Sequence, residues 1–198
     1  MSTHLTPNQQ RYQSTRSTAL VFAGIAIVAL GFALFSGKWL VTPGEVAGVG
    51  LRKASFCTPI TTDNCELSTS ELVAMVADSV KHMPGAKQPS SLFAPLGWIN
   101  TVLIAIGVLL LGAAAFWTYQ KPGAEMPFPA ISLGLLTMLI VLITGCAFVV
   151  TKPGGVGSLG VGPGFFAFGG GVVCGIIASQ MMSKVLRGPE PEPDLELH

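Results

Sequence analysis

Cys57 and Cys65 are the residues whose type and spacing most directly suggest chemistry. Seven residues separate them in a polar stretch, and Thr61–Asn64 (TTDN) supplies turn formers between them. Three readings are open: a disulfide that would close a small loop and pin a hairpin, two free thiols, or part of a metal site. The metal reading is the weakest, because structural zinc usually takes four ligands and His82 is the one other suitable ligand nearby. Cys146 and Cys174 fall inside apolar runs, where a thiol behaves as a small packing residue. The chain has no nucleophile elbow, no H-E-x-x-H and no P-loop. The glycine-rich segment 154–164 lacks both a preceding soluble strand and a following Lys-Ser/Thr, so it reads as a turn. No catalytic, cofactor-binding or metal-ligating residue is assigned, and the expectation is a non-enzymatic protein without a cofactor.

The elements around these cysteines are strongly apolar. Half of the 198 residues are hydrophobic and 11% are charged, whereas a soluble domain carries about 25%. Residues 17–37, 96–120, 126–151 and 160–183 contain no Asp, Glu, Lys or Arg. Each run has the roughly 20 residues a helix needs to cross a hydrocarbon core of about 30 Å. The runs are continuous rather than alternating, which argues against a membrane β-barrel. The first run exceeds the usual length of a signal-peptide core, so it reads as a retained span. The net charge of +1 and the absence of a basic run give no footprint for nucleic acid. The fold class expected is all-α membrane, a four-helix transmembrane bundle, with the lipid bilayer as its first partner.

Basic residues set the expected orientation. Arg11 and Arg16 lie in the tail 1–16, Lys121 lies in the turn between spans two and three, and Lys184 and Arg187 open the tail 184–198. Lys38 and Lys152 oppose them at the other ends of spans one and three. The positive-inside rule therefore places both termini in the cytoplasm of a multi-pass protein of the cell (plasma or inner) membrane. The acidic, proline-rich end of the 184–198 tail is expected to be disordered.

The outer loop, 38–92, is long enough to fold. Trp39–Val41 and Val46–Leu51 have strand-like content, interrupted by Pro43-Gly44. Ser68-Thr69-Ser70-Glu71 fits a capping box, and a helix over 70–83 would place Leu72, Val73, Val76, Val80 and Met83 on one face. In span four, Ala167, Gly171, Gly175 and Ser179 recur every fourth residue, and Ala29, Ala33 and Gly37 do so in span one. Both read as ridges of small side chains for close helix packing. Trp39 and Trp98 at one side, with Phe116, Trp117 and Tyr119 at the other, read as interfacial belts. No span carries an ionisable Asp, Glu, Lys, Arg or His, which counts against proton relays and ion-coupled transport. Asn100 is suited to an interhelical hydrogen bond, and Thr137 and Thr144 to local bonds to backbone.

Four spans with a large first outer loop carrying Trp39, Gly50-Leu51, Cys57 and Cys65 in that order resemble the claudin/PMP-22-like superfamily and its W…G-L-W…C…C signature. Arg52 takes the place of the second Trp. The resemblance implies that the cysteines pair, that the loop forms a small disulfide-bridged antiparallel sheet, and that a short helix precedes span two. It also implies lateral assembly, adhesion or partner binding through the outer loop, where Arg52, Lys53 and Asp63 supply charge. The expected partners are further copies of the chain or other membrane-protein subunits. An accessory subunit of a larger complex and a small channel or transporter are the alternatives.

Overall fold

The computed structural model describes residues 6–43, 47–56, 66–82, 88–124, 126, 129–153 and 159–188. Its helices are α1 (Pro7–Phe35), α2 (Thr69–Lys81), α3 (Phe93–Gln120), α4 (Ala130–Val150) and α5 (Pro163–Leu186). Five short strands accompany them: β1 (Leu40–Val41), β2 (Ala47–Val49), β3 (Lys53–Phe56), β4 (Glu66–Ser68) and β5 (Gly160–Val161). The helices α1, α3, α4 and α5 are long and apolar enough to cross a membrane. Their outward faces stay apolar, with Leu109 73% and Ile143 69% exposed. Such a surface suits hydrocarbon and would be a liability in water.

Helix α1 starts at Pro7, well before the span boundary expected at residue 17. Thr6 accepts from the Gln9 backbone N–H while the Gln9 side chain accepts from the Thr6 N–H. This capping box, followed by Pro7 at the first helical position, nucleates the helix in the polar segment. Helix α2 begins on the expected box: Ser68 Oγ accepts from the Glu71 N–H at 3.2 Å, and the Ser68 N–H donates to Glu71 at 2.8 Å. Leu72, Val76 and Val80 are buried as the apolar face predicts, and Met83 lies outside the described residues.

The bundle is packed on a seam of alternating four- and three-residue steps. In α5 the buried positions include Gly164, Phe168, Gly171, Gly175, Ala178, Met182 and Val185. In α1 they are Ala19, Ala23, Ala26, Leu30 and Ala33. The 3.5-residue average of these steps is the spacing that holds a helix face against a partner in left-handed bundles. Helices α1 and α5 form the most extensive helix pair and run antiparallel: Gly171 faces Leu30, Gly175 faces Ala26, and Tyr12 Oη donates to the Val185 carbonyl at 3.0 Å.

The expected ridges coincide with this seam in part. A step of four residues turns about 400°, so a strict four-residue row drifts about 40° per step around the helix. Gly171, Gly175 and Ser179 are buried, but Ala167 has drifted to a half-exposed position. Only Ala33 of the proposed α1 ridge is buried; Gly37 is exposed. The buried Ser179 hydroxyl bonds the Gly175 carbonyl of its own helix at 2.8 Å.

At the opposite end from the described termini, the strands form one sheet in the order β4-β3-β2-β1-β5, with neighbours antiparallel. The last strand comes from the connection between α4 and α5. The sheet therefore joins both connections on that side of the bundle.

Candidate functional site

Trp39 anchors the sheet to the helices. Its indole Nε1–H donates to the Ala33 carbonyl at 2.6 Å, one of the acceptors left open at the end of α1. Its ring meets Phe168 at 4.9 Å, Phe148 at 5.8 Å and Phe165 at 6.0 Å between centroids. Phe93 stacks on Phe148 at 4.4 Å. Trp39 is fully buried in this aromatic plug, whereas Trp98 is 56% exposed. Its burial takes Trp39 out of the interfacial role expected of it. The reason is the turn after α1: Ser36 ends the helix, and the chain folds Trp39 back over the bundle.

The backbone of Trp39 is equally committed. Its N–H donates to Val49 of β2 at 2.9 Å, and its carbonyl accepts from Gly162 at 2.8 Å. The Gly164 N–H, at the start of α5, donates to the Lys38 carbonyl at 3.0 Å. One short segment thus carries β1, caps α5 and plugs the bundle.

Gly50 and Leu51 sit at the β2–β3 turn. A Cβ at Gly50 would come within 2.7 Å of the Ser36 carbonyl oxygen, so glycine permits the close approach of turn and α1. The Gly50 N–H bonds the Lys53 carbonyl at 2.8 Å, which leaves Leu51 and Arg52 at the tip. Leu51 is buried, with its carbonyl against Gly97 of α3. Arg52 is exposed and its guanidinium lies 5.8 Å from the Trp98 ring centroid.

Lys53 pairs with Glu66 across β3 and β4 at 2.7 Å, both side chains largely exposed. Beside them a cavity of about 320 Å³ opens between the end of α1 and the sheet, lined in part by Ser36, Gly37, Arg52, Lys53 and Glu66. Glu71, at the first turn of α2, has its carboxyl held below the usual range by hydrogen bonds from the Ser68 backbone and side chain. Cys57, Cys65 and Asp63 lie outside the described residues, so the expected disulfide and the third loop charge do too. Cys146 and Cys174 are free; Cys146 faces outward rather than packing within the bundle.

The structure brings Trp39, Gly50 and Leu51 together at the sheet–bundle junction and leaves Arg52 and Lys53 on its surface. The helix-packing residues lie apart, deeper in the bundle. Sequence reasoning missed Phe93, Phe148 and Phe168, although Phe165 and Phe168 stand at the i, i+3 spacing of one helix face. It also missed the partner of Asn100, whose buried Oδ1 accepts from Thr144 of α4 at 2.6 Å. Thr144 was expected to bond local backbone, and it also approaches the Ile140 carbonyl at 3.0 Å. Among the described residues, no three His, Cys, Asp or Glu side chains gather as metal ligands. Comparison with protein-family models and with curated proteins finds no match to this chain.

Proposed function

We propose that this chain is a non-enzymatic, claudin-like membrane protein that assembles laterally or binds a membrane partner through its sheet-bearing end. The observation that carries the reading is the single five-stranded sheet built from both connections and fixed to the bundle by Trp39. Among the described residues β4 and β5 are its edge strands, the places where backbone pairing with another chain would occur. The tip and neighbouring strands add Arg52, Lys53 and Glu66 as a polar surface for choosing that partner. In this reading Cys57 and Cys65 form a disulfide between β3 and β4, with both termini in the cytoplasm of the cell membrane.

Purification from native membrane in mild detergent tests the proposal. Homo-oligomers that dissociate when Glu66 and Lys53 are reversed in charge together with Arg52 support it. Stoichiometric foreign subunits would instead mark an accessory subunit, and a strictly monomeric particle would sink both. Conductance in liposomes that depends on Arg52 would favour a small channel.

A further inference from the structure

The cavity between the end of α1 and the sheet is lined by two opposite kinds of polar group. Leu34, Phe35 and Ser36, at the end of α1, form part of its wall. The Phe32 carbonyl accepts from the Ser36 N–H and the Ala33 carbonyl from the Trp39 indole, but among the described residues no donor meets the Leu34 or Phe35 carbonyls. These open acceptors carry the negative end of the α1 dipole. Glu66 adds a carboxylate: its Oε2 takes the Lys53 ammonium at 2.7 Å, and its Oε1 has no partner among the described residues. Both side chains of that pair are largely exposed, so the pair is weak and Glu66 stays open to a second cation. Arg52 supplies the other sign. Its guanidinium is exposed, lies 5.8 Å from the Trp98 ring centroid, and makes no hydrogen bond or ion pair among the described residues. A guanidinium held at an aromatic ring with its N–H groups unengaged suits the paired oxygens of a phosphate.

The place of the cavity along the spans selects the molecule that carries these charges. Phe35 is 78% exposed and Trp98 56%, each close to the sheet-side end of a charge-free run, 17–37 and 96–120. Large exposed aromatics at span ends mark the headgroup layer of a bilayer. The volume, about 320 Å³, is at the small end for ligand pockets and suits a headgroup rather than a whole lipid. A purely anionic headgroup leaves Glu66 and the α1 carbonyls unmatched, and a choline headgroup has no N–H to donate to them. A phosphate joined to a primary ammonium matches both sets.

We propose that this cavity binds the headgroup of phosphatidylethanolamine from the sheet-side leaflet, with its phosphate on Arg52 and its ammonium on Glu66 and the open carbonyls of α1. This goes beyond lateral assembly, and the two are read separately: assembly by oligomeric state, the lipid by its retained mass and its headgroup preference.

Titration of the full chain in detergent with phosphatidylethanolamine, phosphatidylcholine or phosphatidylglycerol of matched acyl chains, followed by native mass spectrometry, gives the test. Phosphatidylethanolamine should bind about tenfold more tightly than either of the others, the difference expected of one charge-assisted hydrogen bond. Arg52→Gln should weaken its binding about tenfold, and Glu66→Gln should remove its advantage over phosphatidylcholine. Lys81→Gln, on α2 and outside the cavity, should leave both unchanged. Gly37 lines the cavity, and a Cβ there meets nothing within 4 Å. Gly37→Trp therefore fills the cavity with every charge retained and should abolish the preference, which covers the case in which Arg52→Gln does not fold. Equal affinity for the three lipids, wild-type preference in Gly37→Trp, or an equal loss in Lys81→Gln would each overturn the proposal. Displacement of the lipid by equimolar phosphoethanolamine would mark a soluble phosphate ester as the ligand and overturn it too.

Discussion

The Trp39 indole N–H and the Ala33 carbonyl meet at 2.6 Å inside the aromatic plug that joins sheet to bundle. Trp39→Phe keeps most of the apolar contact and leaves the Ala33 carbonyl without that donor. A buried acceptor stripped of its partner costs about 1–3 kcal/mol. The unfolding midpoint in detergent should fall accordingly, and Trp39→Ala should fall further, because a cavity adds about 3–5 kcal/mol for a large aromatic.

Gly97 of α3 lies so close to the Leu51 carbonyl that a Cβ there would overlap it. Gly97→Ala should force the β2–β3 tip off the bundle at a cost of about 1–3 kcal/mol, the usual range for overpacking. Limited proteolysis reads this directly. Cleavage within 38–92 should quicken while the helices remain protected, and an unchanged rate would mean that the tip does not rest on α3.

Asn100 and Thr144 link α3 to α4 at 2.6 Å, and the Asn100 Nδ2 is buried without a partner. Thr144→Val strands the whole amide, whereas Asn100→Leu with Thr144→Val removes both polar groups. Bonds of this kind between membrane helices contribute about 0.6–1.7 kcal/mol. The single variant should lose stability of that order, and the double variant should recover part of it in a thermal unfolding series.

Glu71 carries the clearest pH dependence. Its folded pKa lies below the ordinary 4.5 because the ionised carboxylate accepts from Ser68. A depressed acid stabilises the fold above its unfolded pKa, and that stabilisation is lost as pH falls from about 4.5 through the lower folded value. The start of α2 should therefore loosen in acid. Amide exchange at residues 69–72 should accelerate over that window in wild type and show no such step in Glu71→Gln.

The cysteine pairing is accessible to mass measurement. Alkylation of the denatured, unreduced chain should label Cys146 and Cys174, which are free in the structure. Reduction should then expose Cys57 and Cys65 as well. Four labels before reduction would exclude the disulfide.

The four spans and the α2 capping box were legible in the sequence because both are local. Charge-free length defines a span, and Ser68 and Glu71 bond within one helical turn. The small residues of α5 were legible as packing material, but the face they use was not: spacing alone does not distinguish a four-residue row from the alternating seam that the neighbouring helices impose. Tertiary structure also decided the fate of Trp39. Its type fits an interface and a core equally well, and only the fold-back after Ser36 carries it under Phe148 and Phe168. Arg52 reaches Trp98, and β1 reaches β5, across sequence separations that no local pattern encodes. Local composition determined which segments are long and apolar enough to cross a membrane and which helix is capped; the meeting of distant surfaces determined where the sheet is anchored, because close packing selects partners by shape only once the chain has folded.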